Sequence, residues 1–152
     1  MRACLIFNPR AGPADRIRDF LLHLTGDHRC ELRPTTKEGD ARRIASEAVK
    51  EGFDRIIVAG GDGTIGQAVN GMADNFDAAE LAILPFGTGN DLARSLGLSP
   101  DRMELACTTA FAERVEPIDV IRITTDNETS YCINVANGGF GGRVAVDVQS
   151  AD

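Results

Sequence analysis

The sequence of 152 residues has no tryptophan, 5% aromatic residues and no long apolar run. A membrane-spanning helix needs about 18 consecutive apolar residues, so none is predicted. With few aromatic rings available, the core must be built from Ile, Leu, Val and Ala, which is typical of an α/β protein. A chain of this length can bury one ordinary domain core.

Positive charge is also scarce, because 23 Asp and Glu outnumber 16 Lys and Arg and the net charge is −7. Nucleic-acid binding depends on clustered basic residues, so no nucleic-acid partner is expected. The four cysteines form no CxxC pair and are predicted to be reduced. Because the amino terminus also lacks a signal-peptide pattern, the expected location is cytoplasmic, and peripheral attachment to a membrane remains open.

Several catalytic motifs are missing as well. There is no G-x-x-x-x-G-K-[ST] phosphate loop and no nucleophile elbow around a serine. The two histidines, His23 and His28, have no nucleophile or metal partner at a recognisable spacing. Hydrolases and zinc enzymes are therefore not indicated.

Short apolar runs alternate with stretches of helical periodicity. Strands are predicted at residues 3–7, 30–33, 55–59 and 81–84, and helices at residues 17–24, 40–52, 65–72, 91–96 and 103–111. This alternation predicts a Rossmann-like α/β fold, a three-layer structure with a parallel sheet and helices on both faces.

The pattern changes after Pro117. Apolar runs at residues 120–124 and 131–135 flank a polar turn and predict a hairpin, followed by a glycine-rich tail. We interpret the hairpin as the first strands of an incomplete β-rich second domain. The predicted boundaries are 1–118 for an ATP-binding α/β domain and 119–152 for the start of the second domain.

Three loops rich in Gly, Asn, Asp and Thr each follow a predicted strand: the first loop (residues 8–12), the second loop (residues 60–66) and the third loop (residues 85–91). In a parallel sheet all three lie at one edge, where ligands bind. Glycines at such turns let backbone N–H groups approach a phosphate, and the helix N-terminus favours negative charge. Thr64 and Thr88 could add hydroxyl donors.

Asp62 separates two interpretations of the second loop. Its surroundings fit G-x-G-x-x-G, the dinucleotide fingerprint, but a carboxylate there repels pyrophosphate unless a cation lies between them. The next strand also ends without the acidic residue that a ribose needs. A triphosphate bridged by Mg²⁺ removes the first objection, because Mg²⁺ is commonly held by carboxylates and phosphate oxygens. Asp62 therefore favours a kinase. A plain helix-capping role remains open for Asp91.

The ordered motifs NPRAG (residues 8–12), GGDGT (residues 60–64) and PFGTGND (residues 85–91), with residues 35–41 between the first two, resemble the diacylglycerol kinase catalytic domain, which bacterial lipid kinases and sphingosine kinases share. GGDGT also occurs in NAD kinases. The resemblance implies binding of ATP with Mg²⁺ and transfer of the γ-phosphoryl to a lipid hydroxyl such as that of diacylglycerol. Asp62 is the implied catalytic residue, with Asp62, Asp91 and Asp119 as implied metal ligands. The implied nucleotide-binding residues are Asn8, Pro9, Arg10, Ala11, Gly12, Thr35, Gly60, Gly61, Asp62, Gly63, Thr64, Ile65, Gly66 and Thr88.

Two departures from the family stand out. Gly66 and Gln67 occupy positions where the family commonly has Asn and Glu, and the β-rich domain that supplies the family's catalytic base and much of its lipid site is not recognisable. The chain is thus expected to be inactive alone, to meet its lipid at a membrane surface only through that domain, and to form homo-oligomers through exposed strands. A non-catalytic nucleotide-binding module and an NAD kinase-like enzyme are the alternatives.

Overall fold

The structure, a computed structural model, describes residues 1–9 and 30–134. The predicted helix at residues 17–24 lies outside the described residues. The described residues contain six strands: β1 (Ala3–Phe7), β2 (Cys30–Pro34), β3 (Arg55–Gly60), β4 (Glu80–Pro85), β5 (Ile121–Thr124) and β6 (Thr129–Cys132). The same part of the chain contains four α-helices: α1 (Asp40–Lys50), α2 (Asp62–Met72), α3 (Asp91–Ser95) and α4 (Met103–Phe111), with short 3-10 turns at Phe76–Ala78 and Pro100–Arg102.

The first four strands form one parallel sheet in the order β2-β1-β3-β4. The two central strands, β1 and β3, are buried at every position, which is why their sequences, apart from Arg55 at the start of β3, are continuous apolar runs without alternation. The outer strand β2 is half-buried and carries charged residues. The predicted parallel sheet is confirmed.

Helices cover both faces of this sheet. On one face α1 and α2 pack over side chains such as Cys4, Ile6 and Val58, and on the other face α4 packs over Leu5, Ile57 and Leu84. Successive residues of a strand point to opposite faces, so each central strand contributes to both cores. The predicted three-layer arrangement is confirmed.

Helices α1 and α2 cross at Gly71. A Cβ added there would lie 2.1 Å from the Arg42 carbonyl oxygen and 2.9 Å from the Ala45 Cβ. Only a glycine lets the two backbones approach this closely. Because Gly71 is near the end of α2, the contact holds this helix, and therefore the second loop at its beginning, in place over the sheet.

Strands β5 and β6 form the predicted hairpin as a separate antiparallel pair. Tyr131 and Ile133 pack against the α1–α2 face of the core, whereas Ile121 and Ile123 are 51% and 37% exposed. The hairpin thus has one face on the α/β body and one apolar face without cover among the described residues.

All four cysteines are free. Burial raises the pKa of the Cys4 thiol to about 12 and that of Cys30 to about 11. The thiolate is the reactive form, so these side chains act as small apolar groups of the sheet.

Candidate functional site

The candidate site lies where the strand order reverses. Strand β1 pairs with β2 on one side and with β3 on the other, and β3 continues to β4. Neighbouring parallel strands in such a sheet send their connections to opposite faces, which opens a crevice at the carboxyl ends of β1 and β3. The described part of the first loop, the second loop and the third loop all begin at this edge, as predicted.

Main-chain hydrogen bonds join the loops at their bases. The Asn8 N–H donates to the Ala59 carbonyl at 3.3 Å, and the Phe86 N–H donates to the Gly60 carbonyl at 3.1 Å. The Thr35 N–H, just after β2, donates to the Phe7 carbonyl at 2.9 Å. The parallel ladder therefore continues one residue beyond the strands and aligns four connections on a single rim.

The second and third loops touch through their glycines. A Cβ added at Gly87 would lie 2.3 Å from Gly61 Cα, and one added at Gly61 would lie 3.0 Å from Gly87 Cα. Side chains at either position would push the two main chains apart. The glycines of GGDGT and PFGTGND are therefore explained in part by contact between the motifs, before any ligand is considered.

Asn90 closes the third loop. Its backbone is left-handed, with φ 55°, a conformation that asparagine tolerates better than most residues. The side chain is 1% exposed, and its amide both accepts from the Gly87 N–H at 2.8 Å and donates to the Gly87 carbonyl. Asn90 thereby fixes Gly87 against Gly61 and sets the beginning of α3.

Asp62 links the second loop to the third. Its Oδ2 accepts from the Asp91 N–H and its Oδ1 from the Leu92 N–H, both at 3.1 Å. The carboxylate thus satisfies two of the N–H groups that the beginning of α3 leaves without partners in its own helix. It is half-buried, and a carboxylate has about four acceptor positions, so two bonds do not exhaust it.

Helix α2 presents its N-terminus to the same rim. Gly61 is the N-cap and has no side chain to cover the first N–H groups of the helix. A Cβ added at Gly63 would meet nothing within 4 Å, whereas one added at Gly60 would lie 2.9 Å from the Thr64 Cβ. An uncapped, open N-terminus with its partial positive charge is suited to an anion.

A groove of about 300 Å³ adjoins this helix end. Its walls come from the carboxyl end of β1, the β2–α1 connection and the outer side of α2. The lining residues are Asn8, Thr35, Thr36, Lys37, Glu38, Ala41, Thr64 and Gln67. Three of the predicted residues, Asn8, Thr35 and Thr64, are therefore brought together in one groove.

Asp40 organises the β2–α1 connection. Its Oδ2 accepts from the Thr36 hydroxyl at 2.7 Å, the Thr36 N–H at 2.8 Å and the Lys37 N–H at 3.1 Å. These bonds, led by the Thr36 hydroxyl, hold the pKa of the Asp40 carboxyl well below its usual range. Asp40 is the first residue of α1, and Gly39 is the N-cap.

The remaining predicted residues are distributed as follows. Gly66 is half-buried on α2, Thr88 is exposed on the third loop, and Pro9 is half-buried beside Asn8. Arg10, Ala11 and Gly12 lie outside the described residues.

Ile65 differs from its predicted role in nucleotide binding. Its side chain is 1% exposed within the core, and its N–H donates to the Gly61 carbonyl inside the helix. An apolar side chain on the inner face of an amphipathic helix packs against the sheet.

The three predicted metal ligands are not brought together. Asp91 is adjacent to Asp62 and exposed, but Asp119 lines a different groove, of about 550 Å³, together with Met72 at the last position of α2. Helix α2 spans eleven residues, or about 15 Å, between Asp62 and Met72. Within residues 1–9 and 30–134, no group of three or more His, Cys, Asp or Glu side chains is arranged to hold a metal ion.

Residues that were not among the predicted site residues are Thr36, Lys37, Glu38, Ala41 and Gln67 in the groove and Asn90 in the third loop. Thr36 and Lys37 could have been found from their position, because the β2–α1 connection leaves the sheet at the same edge as the three glycine loops. Asn90 had a signal as well, because asparagine between Gly and a helix start is typical of a left-handed turn.

A doubly wound parallel sheet, with glycine loops gathered at its switch point beside an open helix N-terminus, defines the class of α/β domains that bind their ligands at this edge. Within that class the chain belongs to the diacylglycerol kinase catalytic domain family, whose model matches residues 2–123.

Named relatives agree with this assignment. A protein of Stenotrophomonas maltophilia (strain K279a) named "Probable lipid kinase YegS-like" is 34% identical over 151 residues, which are 96% of this chain and 48% of that protein. The "Diacylglycerol kinase" of Bacillus subtilis (strain 168) is 36% identical over 157 residues, which are 98% of this chain and 49% of that protein.

A solved structure shares the fold. The crystal structure of a diacylglycerol kinase from Bacillus anthracis str. Sterne matches with a TM-score of 0.65 and 35% identity, over 78% of this chain and 42% of that one. The chain thus spans about half the length of the relatives it matches.

In the part of the chain that the structure describes, no helix has the length and apolar character that a bilayer crossing requires.

Proposed function

We propose that this chain is the ATP-binding part of a lipid kinase that transfers the γ-phosphoryl of ATP to a lipid hydroxyl such as that of diacylglycerol. The observation that carries the proposal is the open N-terminus of α2, with its glycines, at the switch point of the sheet. Family membership and the names of the relatives support the kinase assignment and the lipid acceptor.

The triphosphate would lie over the second loop. The first N–H groups of α2 have no acceptor within their own helix, and no side chain at Gly61 or Gly63 blocks an approach to them. Fixed N–H donors and the helix dipole stabilise the phosphate charge without reorganisation during transfer. Thr64 adds a hydroxyl at the same place.

The nucleoside would occupy the groove beside α2. Its volume of about 300 Å³ lies at the lower end of the range for small-molecule sites. Asn8, Thr35 and Gln67 offer polar partners for the ribose and base, and Lys37 contributes a positive charge at the rim. The groove joins the α2 N-terminus through Thr64, so one nucleotide can reach both.

Asp62 and Asp91 are the residues that fit a magnesium ion. Mg²⁺ is usually held by one or two carboxylates together with phosphate oxygens, and Asp62 retains acceptor positions beyond the two that bind α3. When bound, Mg²⁺ would neutralise charge on the phosphates. Asp119 was predicted as a third ligand. It could contribute to a metal site only together with a ligand from the part of the relatives that this chain does not span.

The acceptor side belongs to the same proposal. The relatives are about twice as long as this chain, and the part that the chain does not span would bind the lipid at a membrane surface. The protein would approach that surface from the cytoplasm. The proposed boundary near residue 118 lies just before β5. The second domain would then continue from the hairpin and supply the catalytic base.

Titration calorimetry with Mg·ATP tests nucleotide binding. The sharpest variants are Gly63→Asp and Gly63→Asn, because the space above Gly63 is open and the two side chains differ mainly in charge. We expect Gly63→Asp to bind Mg·ATP at least about tenfold more weakly than Gly63→Asn, since the added carboxylate repels phosphate. Equal affinities would contradict phosphate binding at α2.

Acceptor assays separate this proposal from its two alternatives. Labelled ATP is offered with diacylglycerol in mixed micelles and, in parallel, with NAD. Transfer to the lipid by the full-length protein supports a lipid kinase, whereas transfer to NAD supports the NAD kinase-like alternative. Binding of ATP without transfer to either acceptor supports a non-catalytic module.

A further inference from the structure

The side chain of Asn70 forms two hydrogen bonds with the main chain of Tyr131, which is 61 residues away in the sequence. Its Nδ2 donates to the Tyr131 carbonyl at 2.7 Å, and its Oδ1 accepts from the Tyr131 N–H at 2.9 Å. A residue on a neighbouring strand would use its own N–H and carbonyl in the same way. The amide of Asn70 therefore takes the place of a third strand beside β6.

A third bond fixes the orientation of this amide. Nδ2 also donates to the Gly66 carbonyl, one turn earlier in α2, at 2.8 Å. Both amide hydrogens are thus used, and a flipped amide would set its NH₂ group against the Tyr131 N–H. Asparagine is a poor helix former, so helix propensity does not explain this residue in the interior of α2. Its contacts with β6 do.

The same helix carries the proposed phosphate site. Helix α2 begins at Asp62 in the second loop, is locked against α1 at Gly71, and binds the hairpin through the intervening Asn70. Apolar contacts assist, because Phe76 and Tyr131 meet edge to face with ring centroids 5.3 Å apart. Apolar packing is tolerant of sliding, whereas a paired amide specifies one register.

We propose that Asn70 is a positioning residue, which sets the place of the hairpin, and of the chain that follows it, relative to the phosphate-binding end of α2. This inference rests on the proposed function for its catalytic consequence, but not for its structural part. In a transfer reaction, small displacements of the acceptor side reduce the rate of the chemical step more than they reduce nucleotide affinity.

Hydrogen exchange on the chain tests the structural part. The Tyr131 amide is expected to exchange about tenfold faster or more in Asn70→Ala than in the wild type, while amides of β3 keep their protection. Asn75→Ala, the same change at an exposed position three residues after α2, is the matched control and should leave Tyr131 unaffected. Unchanged Tyr131 exchange, or equally faster exchange at β3, overturns the proposal.

Kinetics on the full-length protein test the catalytic part. We expect Asn70→Ala to lower kcat for lipid phosphorylation about tenfold with little change in KM for ATP, and Asn70→Asp, which keeps an acceptor but loses both donors, not to restore it. An unchanged kcat, or a loss confined to KM for ATP, overturns it. Failure of the wild-type chain to bind Mg·ATP would instead remove the proposed function and leave the exchange result standing.

Discussion

The rim of glycine loops and the β5–β6 hairpin are held to different degrees. At the rim, the main chains of Gly61 and Gly87 touch directly, and the side chains of Asp62 and Asn90 bind backbone groups around the third loop. The hairpin is held to the α/β body by Asn70, a ring contact and a few half-buried apolar side chains.

The comparison shows that the chain fixes the geometry of the rim more tightly than the position of the hairpin. Backbone contacts through glycine leave almost no freedom, since any Cβ must displace a loop, whereas exposed isoleucines on the hairpin can be exchanged with little consequence. The rim is therefore a preformed site, and the hairpin is a region whose position depends on very few interactions. Substitutions in the α/β body and on the hairpin test this contrast.

The largest effect is expected at the crossing of α1 and α2, which supports the rim. Gly71→Ala places a Cβ 2.1 Å from the Arg42 carbonyl oxygen and should lower the free energy of unfolding by about 3 kcal/mol. Gly66→Ala, on the same helix in open space, should raise it by about 0.5 to 1 kcal/mol through helix propensity. Urea denaturation of both variants measures the difference, and equal stabilities would contradict the close crossing.

The second prediction concerns the contact between the second and third loops. Gly87→Ala should separate the loops, lower the free energy of unfolding by about 2 kcal/mol and weaken Mg·ATP binding. Gly63→Ala serves as the control for stability, because its Cβ meets no neighbour. Urea denaturation and calorimetry give the two readouts, and a Gly87→Ala protein as stable as the control would show that the rim is not rigid.

The third prediction removes the carboxylate that joins the two loops. Asp62→Ala leaves the Asp91 and Leu92 N–H groups without their acceptor and should destabilise the fold by about 2 kcal/mol. Asp62→Asn keeps one acceptor oxygen and should lose about half as much. Thermal denaturation checks both values; a stability equal to wild type in Asp62→Ala would mean that the bonds to α3 contribute nothing.

The fourth prediction uses pH. The folded-state pKa of Asp40 is lowered, so its stabilising effect is fully present above the unfolded pKa, about 3.9, and is lost as pH falls through the lower folded value. Asp40→Asn should therefore be less stable than wild type at pH 7, with a gap that is constant above about pH 5 and narrows below pH 4. Urea midpoints across this range measure the gap, and a gap that widens on acidification would contradict the assignment.

The smallest effect on stability is expected on the hairpin. Replacing Ile121 and Ile123 with Thr keeps the β propensity and should change the free energy of unfolding by no more than about 0.5 kcal/mol for each position, because both side chains are exposed. The double variant should, however, reduce the self-association that the exposed strand predicts. Light scattering at increasing concentration checks this, and a wild-type chain that remains monomeric would contradict it.

Much of the fold was predictable because it is local. The apolar runs gave β1 and β3 to within one residue, the periodicity gave α4 at residues 103–111, and the polar turn before Tyr131 indicated the hairpin. The parallel order followed from the alternation of strands and helices. For the glycine loops, the sequence predicted that they share one edge of the sheet, but it did not predict the contact between Gly61 and Gly87.

Contacts between distant residues could not be predicted. Nothing in the local sequence indicates that Asp62 accepts from residues 29 and 30 positions later, or that Asn70 pairs with Tyr131. A side chain that binds main-chain atoms does not require a particular residue type at the partner position. The sequence pattern and spacing therefore do not identify the partner. For the same reason Asp119 was grouped with Asp62 by motif, although Asp119 lines a groove with Met72, at the opposite end of α2 from Asp62.

The amide of Asn70 also limits how copies of this chain can assemble through the hairpin. It occupies the outer edge of β6 at Tyr131, so within the two-stranded sheet of the described residues only β5 offers a vacant edge to another molecule. Growth into a fibre through the hairpin needs two vacant edges of this sheet, whereas a single one is consumed when two copies meet. An association through the hairpin alone is therefore expected to stop at a closed pair.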